Sequence, residues 1–167
     1  FAIAQDAVCY QENDIMLGLR YLNDLARKQG MPLVICVALG TSFGGHNGDS
    51  LLADILDIYA TVRNRCVVVG TGNEAARRHH YFNRFTDAQD MRTAEIRVGE
   101  GTQSFAVELW STLPNIVMVS VTSPSGERTG MIPIRLGYLF DFLFTFERTT
   151  ITVEYRLLQE NNDAQLV

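Results

Sequence analysis

The stretch Cys66-Val67-Val68-Val69-Gly70-Thr71-Gly72-Asn73-Glu74-Ala75 reads as a buried strand breaking into a glycine-rich turn, and two chemistries suit such a turn. Gly70-x-Gly72-x-x-Ala75 after a strand matches the pattern that cradles a pyrophosphate on a helix N-terminus. Alternatively, the neutral amide of Asn73, at the carboxyl end of a strand, can donate to an oxyanion forming on an attacked carbonyl. The phosphate reading needs a helix opening at the turn, yet residues 75–85 show no clear amphipathic period. No acidic residue follows a further parallel strand either, since Asp87 and Asp90 fall in a polar connector.

The remaining candidates point to packing and solvation. His79 and His80 are adjacent, His46 lies in the loop Gly44-Gly45-His46-Asn47-Gly48-Asp49, and no acidic partner stands at zinc-site spacing, so neither a metal nor another cofactor is expected. Asp54 and Asp57 belong on the solvated side of a helix, and Glu95 and Glu108 fall on separate strand patterns. Glu12-Asn13-Asp14 reads as a capping cluster. Alternation places Phe140, Phe142, Phe144 and Phe146 on one strand face, as core. Cys9, Cys36 and Cys66 are odd in number, lack a Cys-x-x-Cys pair, and are expected to be buried free thiols suited to a reducing compartment.

These residues are positioned by two kinds of element. Ile15, Leu19, Leu22 and Ala26 recur at helical spacing up to Gly30 and Pro32; Leu33 to Leu39 is a continuous apolar run, expected to be a strand covered on both faces. A second helix follows, capped by Asp49 or Ser50, with Leu52, Ile55, Leu56 and Tyr59 on one face; then comes the strand from Cys66 to Val69. Helix, strand, helix, strand is the grammar of an open parallel sheet, so the first half is α/β. Beyond Asn73 the period shortens to two in Thr93–Val98, Ser104–Trp110, Ile116–Thr122 and Thr150–Leu157, separated by Gly-, Pro- and Ser-rich turns, which predicts an antiparallel sandwich. The boundary falls between Arg77 and Thr86.

Composition narrows the partners. The chain has 167 residues, 47% of them hydrophobic, and a net charge of −5 without a long basic run, which argues against nucleic acid. Its apolar runs are strand-sized, so no membrane span is expected. It opens at Phe1 without a methionine or a signal-peptide pattern, as a processed or excised end would.

The order Val37-Ala38-Leu39-Gly40-Thr41, a helix, then Val67-Val68-Val69-Gly70-Thr71-Gly72-Asn73-Glu74 resembles the centre of subtilisin-like serine peptidases. With Cys9 to Met16 ahead of the first helix, the His79-His80 pair and a β-domain just after, the chain is similar to the germination-protease branch of spore-forming bacteria. The resemblance implies a partial subtilisin-like parallel sheet with flanking helices over residues 1–78 and an inserted, jelly-roll-like antiparallel sandwich over residues 79–167. It further implies that Asn73 is the oxyanion-hole amide, that Ala38-Leu39-Gly40 forms one wall of the S1 pocket and pairs with substrate backbone, and that Gly70-Thr71-Gly72 forms the opposite wall.

Two departures from the family pattern accompany the match. Ala38-Leu39-Gly40 stands where Ser-Leu-Gly is common, and Gly70-Thr71-Gly72-Asn73 where Ala-Ala-Gly-Asn is, which bears on pocket shape. The family's Asp and His motifs would precede Phe1 and its Gly-Thr-Ser nucleophile motif would follow Val167, so the expectation is a central fragment, inactive alone, of an endopeptidase acting on a peptide or protein. The alternative is a non-catalytic interaction module or pseudoprotease that binds a protein or glycan. Exposed sheet edges are expected to favour association, and the branch implies a bacterial protein of spore or cytoplasm.

Overall fold

Helix α1, Glu12–Gln29, stops where the sequence stops it: Gly30 takes the left-handed conformation at φ 66° and, with Met31, returns its N–H to carbonyls of the last turn. The computed structural model describes residues 10–158 and 164–167, so Cys9 and the residues before it lie outside the described part. Leu19 and Ala26 are the buried positions of α1, one to each side of Leu22 in the same apolar stripe. Strand β1, Leu33–Val37, pairs in parallel with β2, Arg65–Val69, in the register Leu33↔Arg65 to Val37↔Val69. Between them runs α2, Leu51–Thr61, with Leu52, Ile55, Leu56 and Tyr59 half-buried and Asp54 and Asp57 exposed.

Polar ties join these elements. Gln11 is the N-cap residue of α1 and makes no side-chain cap bond; the expected capping cluster acts elsewhere, because Glu12 Oε1 accepts the backbone N–H of Leu52 at 3.1 Å, in the first turn of α2. Arg65 Nε donates to Asn23 Oδ1 at 3.0 Å, and its guanidinium also donates to the carbonyls of Met31 and Asn64, which locks the start of β2 to the end of α1.

The sheet is covered on one face only among the described residues. Ile35 is buried at 5% exposure, whereas its neighbour Val34, on the other face, stands at 69%. Expected burial on both faces is therefore not observed, and Cys36 and Cys66, which share the side of Val34 and Val68, are exposed free thiols. A parallel strand's continuous apolar run records what it can be packed against, and period two then puts half of it on the open side.

After a three-residue 3-10 turn, Ala75–Arg77, residues 81–109 adopt no regular structure. Local bonds hold this segment: Asp90 accepts from Thr86 N–H and Oγ1, both at 2.9 Å, and from Arg92 at 2.6 Å. The strands expected over Thr93–Val98 and from Ser104 are thus absent, and the second of them begins only at β3, Trp110–Thr112. Ile116–Thr122 likewise contributes single bonds, Val119 to Ile132 and Val121 to Thr129, with one bridge at Thr122↔Arg128. Alternation fixes which side chains share a face but supplies no partner ladder.

Two small antiparallel sheets complete the described chain. β4, Leu139–Phe144, pairs with β5, Thr149–Glu154; β3 pairs with β7, Ala164–Leu166, which pairs in turn with β6, Arg156–Leu158. Ile132, Val153 and Tyr155 form the core here, with Phe140, Phe142 and Ile151 against them. Phe144 is buried, but Phe146 is 79% exposed, contrary to expectation, because the strand ends at Phe144 and the hairpin turn carries Phe146 out. Gln165, fully buried, accepts from Ser111 Oγ and Val117 N–H and donates to the Val117 carbonyl, so one side chain pairs both backbone groups of a residue outside any strand.

The chain divides into two compact units: residues 1–44 with 52–106, and residues 45–51 with 107–167. The first holds the parallel sheet; the second holds the antiparallel sheets. The whole is a mixed helix-and-sheet chain of the α/β class.

Candidate active-site rim

Parallel pairing brings the carboxyl ends of β1 and β2 to one side, and with them every residue singled out in the glycine-rich turns. The ladder runs one step beyond the strands, where Gly70 N–H donates to the Val37 carbonyl at 3.2 Å. From that point Ala38-Leu39-Gly40 and Gly70-Thr71-Gly72 run side by side, all exposed. A Cβ built on Gly40 would meet Gly72 Cα at 3.9 Å, and Gly72 has φ +83°, a conformation open to glycine at little cost.

Asn73 follows directly, exposed, and its carboxamide has no hydrogen-bond partner among the described residues. An unspent N–H donor at a strand end can meet negative charge on a ligand. The turn opens only three residues of 3-10 helix, too little for a pyrophosphate cradle, and the residue capping it is Glu74, an anion.

Glu74 organises the rim. Its Oε2 accepts from Ser42 Oγ at 3.2 Å and lies 3.1 Å from His79 Nδ1, while Oε1 pairs with Arg77 at 3.3 Å. The bond to His79, then that to Ser42, with the Arg77 charge adding, hold the Glu74 carboxyl below its ordinary range. Ser42 belongs to the turn after β1, where Thr41 Oγ1 accepts the N–H of Phe43 at 3.0 Å. The tie between Ser42 and Glu74 was not legible beforehand: they are 32 residues apart, and no spacing rule joins them. The only signal was that each closely follows one of the two glycine turns.

Asp54 and Asp57 are solvated, Glu108 accepts from Trp110 Nε1 at 3.0 Å in the second unit, and no group of three or more His, Cys, Asp or Glu side chains suited to a metal occurs among the described residues. No described helix is long and apolar enough to cross a membrane.

Comparison with solved structures places this arrangement. The CspB protease of Clostridium perfringens superposes on 99% of the chain with a TM-score of 0.74 and 23% sequence identity. The chain has a subtilisin-like fold. It spans 34% of the length of that protease structure. No family model matches the chain, and no curated protein matches it with significance.

Proposed function

We propose that the chain is the central part of a subtilisin-like serine endopeptidase, with residues 1–78 belonging to the catalytic domain and residues 79–167 forming an inserted, jelly-roll-like domain. Asn73 is the oxyanion donor, and Ala38-Leu39-Gly40 and Gly70-Thr71-Gly72 are the walls between which substrate lies. One observation carries this reading: an amide with no hydrogen-bond partner among the described residues follows the glycine turn after β2, close to the turn after β1, in a fold shared with a protease. On this reading the chain supplies the oxyanion and substrate side of the reaction, while the nucleophile and base come from elsewhere in the enzyme.

In the complete enzyme a serine attacks the scissile carbonyl, the carbonyl oxygen gains charge, and Asn73 N–H donates to it more strongly in the transition state than in the ground state. Exposed glycine backbone lets an extended peptide lie close to both strand ends. The test is Asn73→Ala in the protein that carries this chain. Turnover should fall about 10²–10³-fold, the loss that removing such a donor causes in a subtilisin, with KM little changed. Unchanged turnover removes Asn73 from the mechanism.

A second reading is a non-catalytic module that binds a protein or glycan. The outer face of the β4–β5 hairpin favours it, since Leu139 and Leu143 are exposed there. A fluorophosphonate probe separates the two: covalent labelling of the complete protein supports the peptidase, and absence of labelling supports the module.

A further inference from the structure

We infer that Asn47-Gly48, in the loop between β1 and α2, is a site of spontaneous covalent modification, where the Gly48 nitrogen displaces the Asn47 amide with help from Asp49 at both ends of the carboxamide. The inference is independent of the peptidase reading.

Sequence singles out this position. Of the chain's asparagines Asn47 alone is followed by glycine; Asn64, Asn73 and Asn115, for instance, precede Arg65, Glu74 and Ile116, whose side chains crowd the backbone nitrogen that would have to attack. The fold leaves the Gly48 nitrogen open. Its N–H makes no hydrogen bond among the described residues, and a Cβ built on Gly48, at φ +85°, would meet nothing within 4 Å. Asn47 is itself exposed, so water has access to the product.

Asp49 completes the arrangement. Its backbone N–H donates to Asn47 Oδ1 at 3.3 Å, where negative charge gathers as the Gly48 nitrogen adds to Cγ. Its carboxylate accepts from Asn47 Nδ2, the atom that departs. The bond from Gly48 N to Cγ forms as that nitrogen loses its proton; the bond from Cγ to Nδ2 breaks as Nδ2 gains a proton and leaves as ammonia. Asp49 Oδ2, already bonded to Nδ2, is placed to relay that proton. Water then opens the cyclic imide at either carbonyl, giving aspartate or isoaspartate.

Either product disturbs a crowded loop. A Cβ on Gly45 would stand 3.1 Å from Asn47 Oδ1 and 3.4 Å from the Trp110 ring, so these three groups pack closely. Aspartate sets a second carboxylate against Asp49, and isoaspartate adds a carbon to the main chain just ahead of α2.

Peptide mapping of the complete protein that carries this chain, aged at mildly alkaline pH, tests the assignment. Trypsin releases residues 29–63 as one peptide in which Asn47 is the sole asparagine. Replacement of its amide by a hydroxyl, read by mass, should run about tenfold faster than at the chain's other asparagines, with isoaspartate identified by fragmentation. Gly48→Ala should slow it by about the same factor. Because alanine is strained at φ +85°, Asp49→Ser, which removes the carboxylate and keeps a small polar side chain, gives a second arm and should slow the reaction severalfold. The unaltered protein unfolded in guanidinium chloride is the reference: Asn47 should deamidate faster folded than unfolded. Slower reaction in the folded state, an unchanged rate in Asp49→Ser, or no excess over the other asparagines overturns the inference.

Discussion

Gly40 and Gly72 face each other at the end of the parallel sheet, a Cβ on the first reaching Gly72 Cα at 3.9 Å. Their substitutions should behave differently. Gly40→Ala meets ordinary contact and should keep stability within about 0.5 kcal/mol. Gly72→Ala must hold φ +83° and should lose about 1–2 kcal/mol. Urea unfolding of both variants checks the contrast.

The start of α2 depends on a residue from α1. Glu12→Ala strips the acceptor from Leu52 N–H and leaves an unpaired donor in a first turn, so stability should fall by about 1 kcal/mol. Glu12→Gln, which keeps an acceptor oxygen, should recover most of it. Equal losses for both variants would show that charge, rather than the bond, matters.

Tyr155 ties two irregular segments, at Val119 and Ile132, to the core of the second unit. Its hydroxyl donates to Ile132 O at 3.0 Å and accepts from Val119 N–H at 3.1 Å, with the residue fully buried. Tyr155→Phe leaves both partners unmet and should cost about 1–3 kcal/mol. Burial raises its folded pKa above 10.0, although the Val119 bond pulls the other way. The unfolded phenol therefore ionises first, and stability should begin to fall as pH rises through 10.0, a slope that Tyr155→Phe should lack.

Glu74 titrates in the opposite sense. Its folded value lies below 4.5, held there first by His79, then by Ser42, so whatever it contributes is present above 4.5 and lost as pH falls through the folded value. A ¹³C titration of the Glu74 carboxyl should find a midpoint under 4.5, and Ser42→Ala should raise it. A midpoint unmoved by that substitution would mean the serine bond does not persist in solution.

Phe144, at the end of β4, and Phe146, in the turn beyond it, should divide sharply. Phe144→Ala opens the core and should cost about 3–5 kcal/mol, whereas Phe146→Ser, at an exposed turn, should change stability by less than about 0.5 kcal/mol. Calorimetric melting of the two variants measures the difference.

Local rules carried the first unit well. Helical spacing from Ile15 to Ala26 with a glycine stop, the stripe Leu52, Ile55, Leu56 and Tyr59, and the two apolar strands were all readable, because each depends on residues within one or two turns of each other. Parallel pairing of the two strands then necessarily gathers Ala38 to Gly40 and Gly70 to Asn73 at one rim, so the grouping of the two glycine turns was legible as well. What could not be read was decided by chain segments remote in sequence. Thr93–Val98 alternates like a strand but finds no ladder; Phe146 keeps the period of Phe144 but falls past the strand's end; Cys36 and Cys66 are apolar in pattern yet lie on the uncovered face. Ser42 and Glu74 meet only because a crossover helix returns the chain to the same edge of the sheet. Periodicity specifies a residue's side of its own element, and only the tertiary fold determines what, if anything, stands opposite that side.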